Sequence, residues 1–174
     1  MRFSSSAVLG VTLLCSVLSA QSVYPTGTTI YDSTKTSDGL TLFQEPAGTV
    51  VLVDMNGNVV NTWQATAGNT LRNPEPLTNG RILVLMNPSG GPDTTIVEMD
   101  YGGNILWSYT TPPWVDEIHH DFERLPSGNT LLMCSIELNV PYISPLPIID
   151  DCLIEVNTAG QVVWTWFTYL HYFA

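Results

Sequence analysis

Three segments of the chain repeat one pattern, and this repetition constrains the fold more than any other feature of the sequence. Each segment contains an apolar stretch, a polar residue, a turn with glycine, and a second apolar stretch that ends in aromatic residues. The segments are VVLVDMNGNVVNTW (50–63), TIVEMDYGGNILWSY (95–109) and CLIEVNTAGQVVWTW (152–166). Their turn glycines are Gly57, Gly103 and Gly160, and the second interval between them is somewhat longer than the first. Each segment predicts a β-hairpin.

A second hairpin pattern alternates with the first. It appears as PEPLTNGRILVLM (74–86) and again as FERLPSGNTLLM (122–133), with Leu77 matching Leu125. Its turn signals are Asn79-Gly80 and Ser127-Gly128. One unit of both patterns therefore holds roughly four short strands, the size and strand count of a β-propeller blade. No segment from Gln21 onward has sustained helical periodicity, which predicts an all-β fold.

The repeats predict four-stranded antiparallel blades, of which the chain holds about two to three. Propellers close with roughly 4 to 8 blades, and an unclosed array leaves strand edges bare. The last residues, WFTYLHYFA, carry no polar cap of the kind that repeat arrays need for solubility. We therefore interpret residues 21–174 as a partial β-propeller domain, truncated at its C-terminus. The alternative is a chain that forms a homo-oligomer to close the ring.

The segment 1–20 predicts a secretory signal peptide. It contains Arg2, an apolar run over residues 7–18, and small residues at positions 19 and 20. That run is shorter than the roughly 20 residues of a membrane-spanning helix, although an uncleaved anchor is the alternative. Export to a secreted or periplasmic location is the prediction.

Charge excludes two classes of partner. The chain has 5 Lys+Arg and 16 Asp+Glu, and cleavage of the leader would remove Arg2. The remaining cations are scattered at Lys35, Arg72, Arg81 and Arg124. Phosphate binding needs clustered cations, so the sequence argues against nucleic acid and, after leader cleavage, against membranes as partners.

Two of the three cysteines, Cys134 and Cys152, lie outside the leader. In an exported chain they are disulfide candidates, and two buried free thiols are the alternative. Their spacing matches no zinc pattern. The stretch DMNGN (54–58) is similar to the start of a calcium loop, but the downstream glutamate is missing and a hairpin turn explains it better. No metal is predicted.

The stretch EIHHDFERLPSGNTLLM (117–133) places two of the three histidines beside an aspartate. An imidazole can act as a nucleophile near neutral pH, and a carboxylate beside it can orient the ring. On an extended strand, His119 and Asp121 would share one face, and His120 and Phe122 the other. Both histidines can then line one channel only if a bulge intervenes.

The ordered set of these stretches, preceded by GLTLF (39–43), resembles the arylsulfotransferase family. The His-His-Asp followed by Leu-Pro-x-Gly-Asn is its most specific part, and the resemblance covers most of the chain after the leader. It implies a six-bladed propeller with a central channel. It also implies transfer of a sulfuryl group from an aryl sulfate to a phenol through a sulfated histidine, without an organic cofactor or metal.

The resemblance also suggests roles for individual residues. The family's His-Asp pair maps onto His120 and Asp121, so His120 is expected to face the channel and to bind substrate or an oxyanion rather than to act as the nucleophile. His119 would then form a hydrogen bond between blades. The alternative is that both histidines satisfy backbone groups where blades join.

Two further residues are candidates for substrate binding. Arg124 is the cation nearest the motif, and its alternative role is a surface ion pair with Glu123 or Asp116. His171 matches a family histidine, although Leu170 stands where relatives often have aspartate.

The sequence leaves a second function open. Asn61 stands where many relatives have histidine, and the family's sulfated histidine is expected in a later blade, so this chain alone is predicted to be inactive. A non-catalytic secreted propeller that acts as a binding or scaffold module is the alternative, favoured by Asn61 and by the acidic charge. A quinone-dependent dehydrogenase propeller would need a repeated tryptophan docking motif, which we do not find.

Overall fold

The computed structural model describes residues 30–172, in which eleven β-strands and two short 3₁₀ turns are present. The turns are Thr78–Gly80 and Thr168–His171. The strands are β1 (Thr41–Gln44), β2 (Val50–Val53), β3 (Val59–Trp63), β4 (Asn69–Pro76), β5 (Ile82–Pro88), β6 (Thr95–Met99), β7 (Ile105–Thr110), β8 (Glu117–Arg124), β9 (Thr130–Leu138), β10 (Ile148–Val156) and β11 (Val162–Phe167). The predicted all-β class is confirmed. The predicted signal peptide lies outside the described residues.

The strands form three antiparallel sheets in which sequential strands are neighbours. Sheet 1 has the order β1-β2-β3, sheet 2 the order β4-β5-β6-β7, and sheet 3 the order β8-β9-β10-β11. Within the described residues sheet 1 has three strands, whereas sheets 2 and 3 have the four antiparallel strands that the sequence predicted. No helix in residues 30–172 has the length and apolar character needed to cross a membrane.

The turn glycines of the three hairpins β2–β3, β6–β7 and β10–β11 share one conformation. Gly57, Gly103 and Gly160 have φ angles of 82°, 85° and 77°, in the left-handed region that glycine adopts without steric cost. The polar residue before each turn accepts backbone hydrogen bonds, as Asp54 Oδ1 does from the N–H groups of Asn56 and Asn58. This geometry explains why each hairpin has a polar residue three positions before its glycine.

The sheets stack face to face and bury two separate cores. The core between sheets 1 and 2 is formed by Val50, Trp63, Leu71, Ile82, Val84, Val97 and Met99. The core between sheets 2 and 3 is formed by Leu83, Leu85, Ile96, Tyr109, Val115, Ile118, Phe122, Leu132, Cys134, Ile136, Cys152, Ile154 and Val156. Sheet 2 is therefore covered on both faces. This explains why β5 begins with an unbroken apolar run instead of an alternating one, since successive side chains enter different cores.

Side-chain hydrogen bonds link each sheet to the turn of the next sheet. Asn61 Nδ2 donates to the carbonyl of Tyr101 at 2.8 Å, and Trp107 Nε1 donates to the carbonyl of Thr158 at 3.1 Å. Asn61 and Trp107 each lie four positions after a turn glycine, and the two carbonyls each lie two positions before one. The same position in the hairpin thus makes the same contact in sheets 1 and 2.

An ion network occupies one end of the interface between sheets 2 and 3. Glu98, which is 8% exposed, pairs with Arg81 through Oε1 and with Arg124 through Oε2. The Arg124 guanidinium also lies 4.6 Å from the centre of the Trp107 ring. One carboxylate between two arginines keeps this buried charge paired.

Glu75 lines the same interface, in a cavity of about 570 Å³ that it shares with the three charged residues of this network. Its Oε2 atom is buried and has no hydrogen-bond partner among the described residues. Burial raises the pKa of Glu75, and the charges of Glu123 and Asp121 raise it further. A hydrogen bond from the backbone of Arg124 and the charge of that arginine oppose the rise.

Leu132→Ala should lower the free energy of unfolding by about 2–5 kcal/mol, because Leu132 is fully buried between sheets 2 and 3. Leu131→Ala is the matched control, since its side chain lies on the opposite, half-covered face of the same strand. Urea denaturation of both variants checks the assignment of the faces. Equal losses for the two leucines would contradict it.

Glu75→Gln should stabilise the protein at neutral pH. A glutamate whose pKa is raised in the folded state loses stability as the pH rises through its unfolded and then its folded pKa, and glutamine lacks this loss. The gain should shrink when the pH falls below the ordinary glutamate pKa. Urea midpoints across pH, with the exposed Glu137→Gln as control, measure the effect; a gain that is independent of pH would refute it.

Candidate functional site

Strand β8 contains a bulge that places His119 and His120 side by side. Ile118 pairs with Cys134 and Phe122 pairs with Leu132, so three residues of β8 lie opposite the single residue between those partners. His120 has a φ of 61°, a left-handed conformation that is uncommon for a residue with a side chain. The extended alternation of side chains considered from the sequence therefore does not hold in this part of β8. The bulge that was the condition for both histidines to line one channel is present. The two imidazole rings meet edge to face, with centroids 4.7 Å apart.

Strand β4 has a break in register next to this bulge. Arg72 pairs with Leu85 and Glu75 with Leu83, and Asn73 between them has a φ of 52°. The Asn73 side chain donates through Nδ2 to the carbonyl of His120 at 2.9 Å. Its backbone N–H donates to Gln44 Oε1 at 3.2 Å. Asn73 therefore connects β1, β4 and β8, the first strand of each sheet.

Arg72 precedes Asn73 on β4 and also lies near the histidine pair. Its Nη1 atom lies 3.1 and 3.2 Å from the two carboxylate oxygens of Asp93. The Asp93 carbonyl in turn accepts a hydrogen bond from the Ile118 backbone, directly before His119. The loop between β5 and β6 is thus anchored at the start of the bulge and holds Arg72 beside it.

Two cavities flank the histidine pair. The first, which we call the histidine cavity, has a volume of about 270 Å³ and is lined by Gln44, Arg72, Asn73, Leu85, Asp93, Glu117, Ile118, His119 and His120. The second, which we call the acidic cavity, has a volume of about 450 Å³ and is lined by both histidines, Ser135, Ile149 and four carboxylates, Asp116, Glu117, Glu137 and Asp151. The pair therefore lies between an arginine-containing surface and an acidic one.

His119 is held by a carboxylate of its own sheet. Its side chain is 17% exposed, and Nε2 lies 3.2 Å from Asp151 Oδ1. This is an ion-pair distance without the alignment of a hydrogen bond, so the attraction acts when the imidazole is protonated. Strand β10 belongs to the same sheet, so this contact is not the hydrogen bond between blades expected for His119, which stays a prediction. A neighbouring carboxylate still favours one orientation of the ring.

Asp121 and Arg124 do not join the histidine pair. Asp121 Oδ1 accepts a hydrogen bond from the Phe122 backbone, and within residues 30–172 no hydrogen bond links it to His120. Arg124 lies at the end of β8 and binds Glu98, so the alternative of a surface pair with Glu123 or Asp116 is wrong, and its role in substrate binding stays a prediction. That alternative failed because Glu98 comes from another sheet and is 26 positions away in the sequence.

His171 lies apart from the other two histidines. It occupies the last 3₁₀ turn and stacks on Trp166, with ring centroids 5.0 Å apart and planes 9° from parallel. It lines neither of the two cavities at the histidine pair. Cys134 and Cys152, for which the sequence left a disulfide and two thiols open, are free and buried.

Four residues of the site were not found from the sequence: Gln44, Arg72, Asn73 and Asp151. The alignment of the two repeats that matches Leu77 to Leu125 also matches Asn73 to Asp121. Extending the repeat by two positions would therefore have identified Arg72 and Asn73 as partners of the histidine motif. Gln44 and Asp151 carry no such signal, because their positions depend on how the strands pair.

Comparison with known proteins agrees with the resemblance seen in the sequence. Residues 27–171 match the family described as Arylsulfotransferase (ASST). A search of curated proteins found no match. The match covers most of the chain, and the chain therefore belongs to the arylsulfotransferase family.

Proposed function

We propose that the three sheets are consecutive blades of a β-propeller and that β1, β4 and β8 line its central channel. Three observations support this arrangement. Sheets 2 and 3 have the same sequential strand order, β1 contacts β4, and β4 contacts β8. Asn61 and Trp107 make equivalent hydrogen bonds from one sheet to the next, as stacked repeats would. The histidine cavity then opens toward the channel.

We infer that this cavity binds the sulfuryl group of an aryl sulfate in a sulfuryl-transfer reaction. The observation that carries the inference is the meeting of two bulged inner strands, which brings Arg72, Asn73 and His120 to one cavity. A sulfuryl group presents non-bridging oxygens that need preorganised hydrogen-bond donors. Arg72 directs Nη1 to Asp93, and a guanidinium carries five N–H donors in all. Leu85 and Ile118 are the apolar residues of the lining, although only 4% and 1% of their surfaces are exposed.

The proposed reaction has two balanced steps. In the first, a neutral imidazole nitrogen attacks sulfur, the bond from sulfur to the donor's aryl oxygen breaks, and the leaving phenolate takes up a proton. In the second, the acceptor phenol loses its proton and attacks the same sulfur, and the bond from sulfur to nitrogen breaks. We assign His120 to oxyanion binding and place the nucleophilic histidine in a further blade, as the family resemblance implies. His119 packs edge to face against the ring of His120, and Asp151 lies at ion-pair distance from His119.

We also propose that the protein is exported. The leader-like segment 1–20 and the family both favour a secreted or periplasmic location. No organic cofactor enters the proposed chemistry.

A non-catalytic binding module is the second candidate function. Four carboxylates line the acidic cavity directly beside the histidines, and they repel an anionic substrate. The four carboxylates are compatible with a neutral or cationic ligand. A chain that kept the stacked sheets but bound such a molecule at the acidic cavity would therefore be a binding module. Affinity for an aryl sulfate separates the two functions.

Arg72→Gln should weaken the binding of 4-nitrophenyl sulfate by roughly 10- to 100-fold, because it removes a charged donor to the sulfuryl oxygens. Isothermal titration calorimetry measures the affinity. Lys35→Gln is the control, since it removes the same charge from an exposed side chain. A folded wild-type protein without affinity for 4-nitrophenyl sulfate would favour the binding-module function instead.

Asn73→Gly should weaken the same binding while changing the unfolding midpoint little. Glycine accepts the left-handed backbone at this position, but it removes the hydrogen bond that holds the His120 carbonyl. Asn79→Gly, at a φ of 62° in an exposed turn, is the matched control and should leave the affinity unchanged. Unchanged affinity in Asn73→Gly would show that Asn73 does not position His120 for binding.

A further inference from the structure

Cys134 and Cys152 are two fully buried thiols to which the proposed sulfuryl transfer gives no role. They lie on the neighbouring strands β9 and β10, and each is the direct partner of the other in the antiparallel register. Both side chains belong to the core between sheets 2 and 3, so both point to the same face. The fold thus places two thiols in contact although the whole segment 135–151 separates them in the sequence.

This geometry meets the requirements of a disulfide. Directly opposite residues of an antiparallel pair have Cα atoms about 4.5–5.5 Å apart, and disulfides span about 4.4–6.8 Å. The Cα separation expected for this register therefore lies within the range that a disulfide spans. Disulfides that depart from the preferred geometry are strained, and strained disulfides exchange readily.

The two thiols differ in acidity because they form a hydrogen bond with each other. That hydrogen bond and then burial raise the pKa of Cys134. The same hydrogen bond lowers the pKa of Cys152, against the effects of burial and of Asp150 and Asp151. This direction favours Cys152 as the attacking thiol, and because both thiols are fully buried an oxidant reaches it only when the interface between sheets 2 and 3 opens locally.

The two cysteines neighbour residues that position the histidine pair. Cys134 is the strand partner of Ile118, the last paired residue before the bulge that carries His119. Cys152 follows Asp151, whose carboxylate holds His119. A bond between the two sulfur atoms would thus link β10, which carries Asp151, to β9, the strand that pairs with β8 and His119.

We propose that Cys134 and Cys152 form a reversible disulfide that links β9 to β10 and changes the geometry of the His119–Asp151 contact. The oxidant is a small-molecule disulfide. The Cys152 thiolate attacks one of its sulfur atoms, the sulfur–sulfur bond breaks, and one small thiolate leaves. Cys134 then loses its proton and attacks the sulfur of Cys152, which releases the second small thiol. The protein loses two electrons, and the small disulfide gains them.

The test uses the full chain with Cys15→Ser, so that Cys134 and Cys152 are its remaining cysteines. The protein is incubated with oxidised glutathione, then denatured, alkylated with iodoacetamide and digested for mass spectrometry. We expect a peptide in which Cys134 is bonded to Cys152, and a rise in Tm of roughly 5–10 °C that dithiothreitol reverses. Cys134→Ala and Cys152→Ala are the controls and should show no rise. Recovery of both cysteines in alkylated form after complete incubation would overturn the proposal.

Coupling to the histidine pair has its own measurement. The ring resonances of His119 should shift between the oxidised and reduced proteins in NMR spectra, whereas those of His171, which stacks on Trp166, should not. His119 resonances that stay unchanged across the redox transition would overturn the coupling. Neither experiment depends on sulfuryl transfer, so the disulfide can fail or succeed independently of the proposed function.

Discussion

The stacking of sheets is the constraint on which the rest of this structure depends. A β-sheet exposes two faces, and an apolar face is stable only when another element covers it. Sheet 2 is covered on both faces, and its strand β5 sends alternate apolar side chains into two cores. The first strands of the sheets consequently come together, since β1 contacts β4 and β4 contacts β8. The histidine cavity exists because stacking places these three strands around one space.

Bulges then determine which side chains enter that space. In a regular strand half of the side chains would turn away, but the breaks in β4 and β8 give Asn73 and His120 left-handed backbones and redirect the chain. Each break would be costly alone, because a non-glycine residue in this conformation is strained. The hydrogen bond from Asn73 to the His120 carbonyl lets one strained residue stabilise the other. Strain that is shared across an interface in this way is typical of functional sites.

The hairpins were predictable from the sequence because their signals are local. Glycine at the turn, a polar residue before it and apolar stretches on either side identify each hairpin without knowledge of the rest of the chain. The partner of Arg124 was not predictable, since Glu98 lies on another sheet. From the sequence, the bulge in β8 was only a condition for both histidines to line one channel. Its presence could not be predicted, because it depends on how Ile118 and Phe122 pair with β9. Local chemistry thus predicts strands and turns, whereas the site depends on register between strands distant in sequence.

The small number of cations in this chain gives the position of each one unusual weight. Two of the arginines, Arg81 and Arg124, share Glu98 and keep its buried charge paired, so they serve the interface between sheets. Arg72 is the cation that lines the histidine cavity, and its contact with Asp93 leaves other guanidinium donors to reach a ligand. Because Asp93 also binds the Ile118 backbone, the residue that offsets the charge of Arg72 is the one that anchors the bulge. Charge and backbone geometry at this site are therefore coupled: an anion that draws Arg72 away from Asp93 would also act on the segment that presents both histidines.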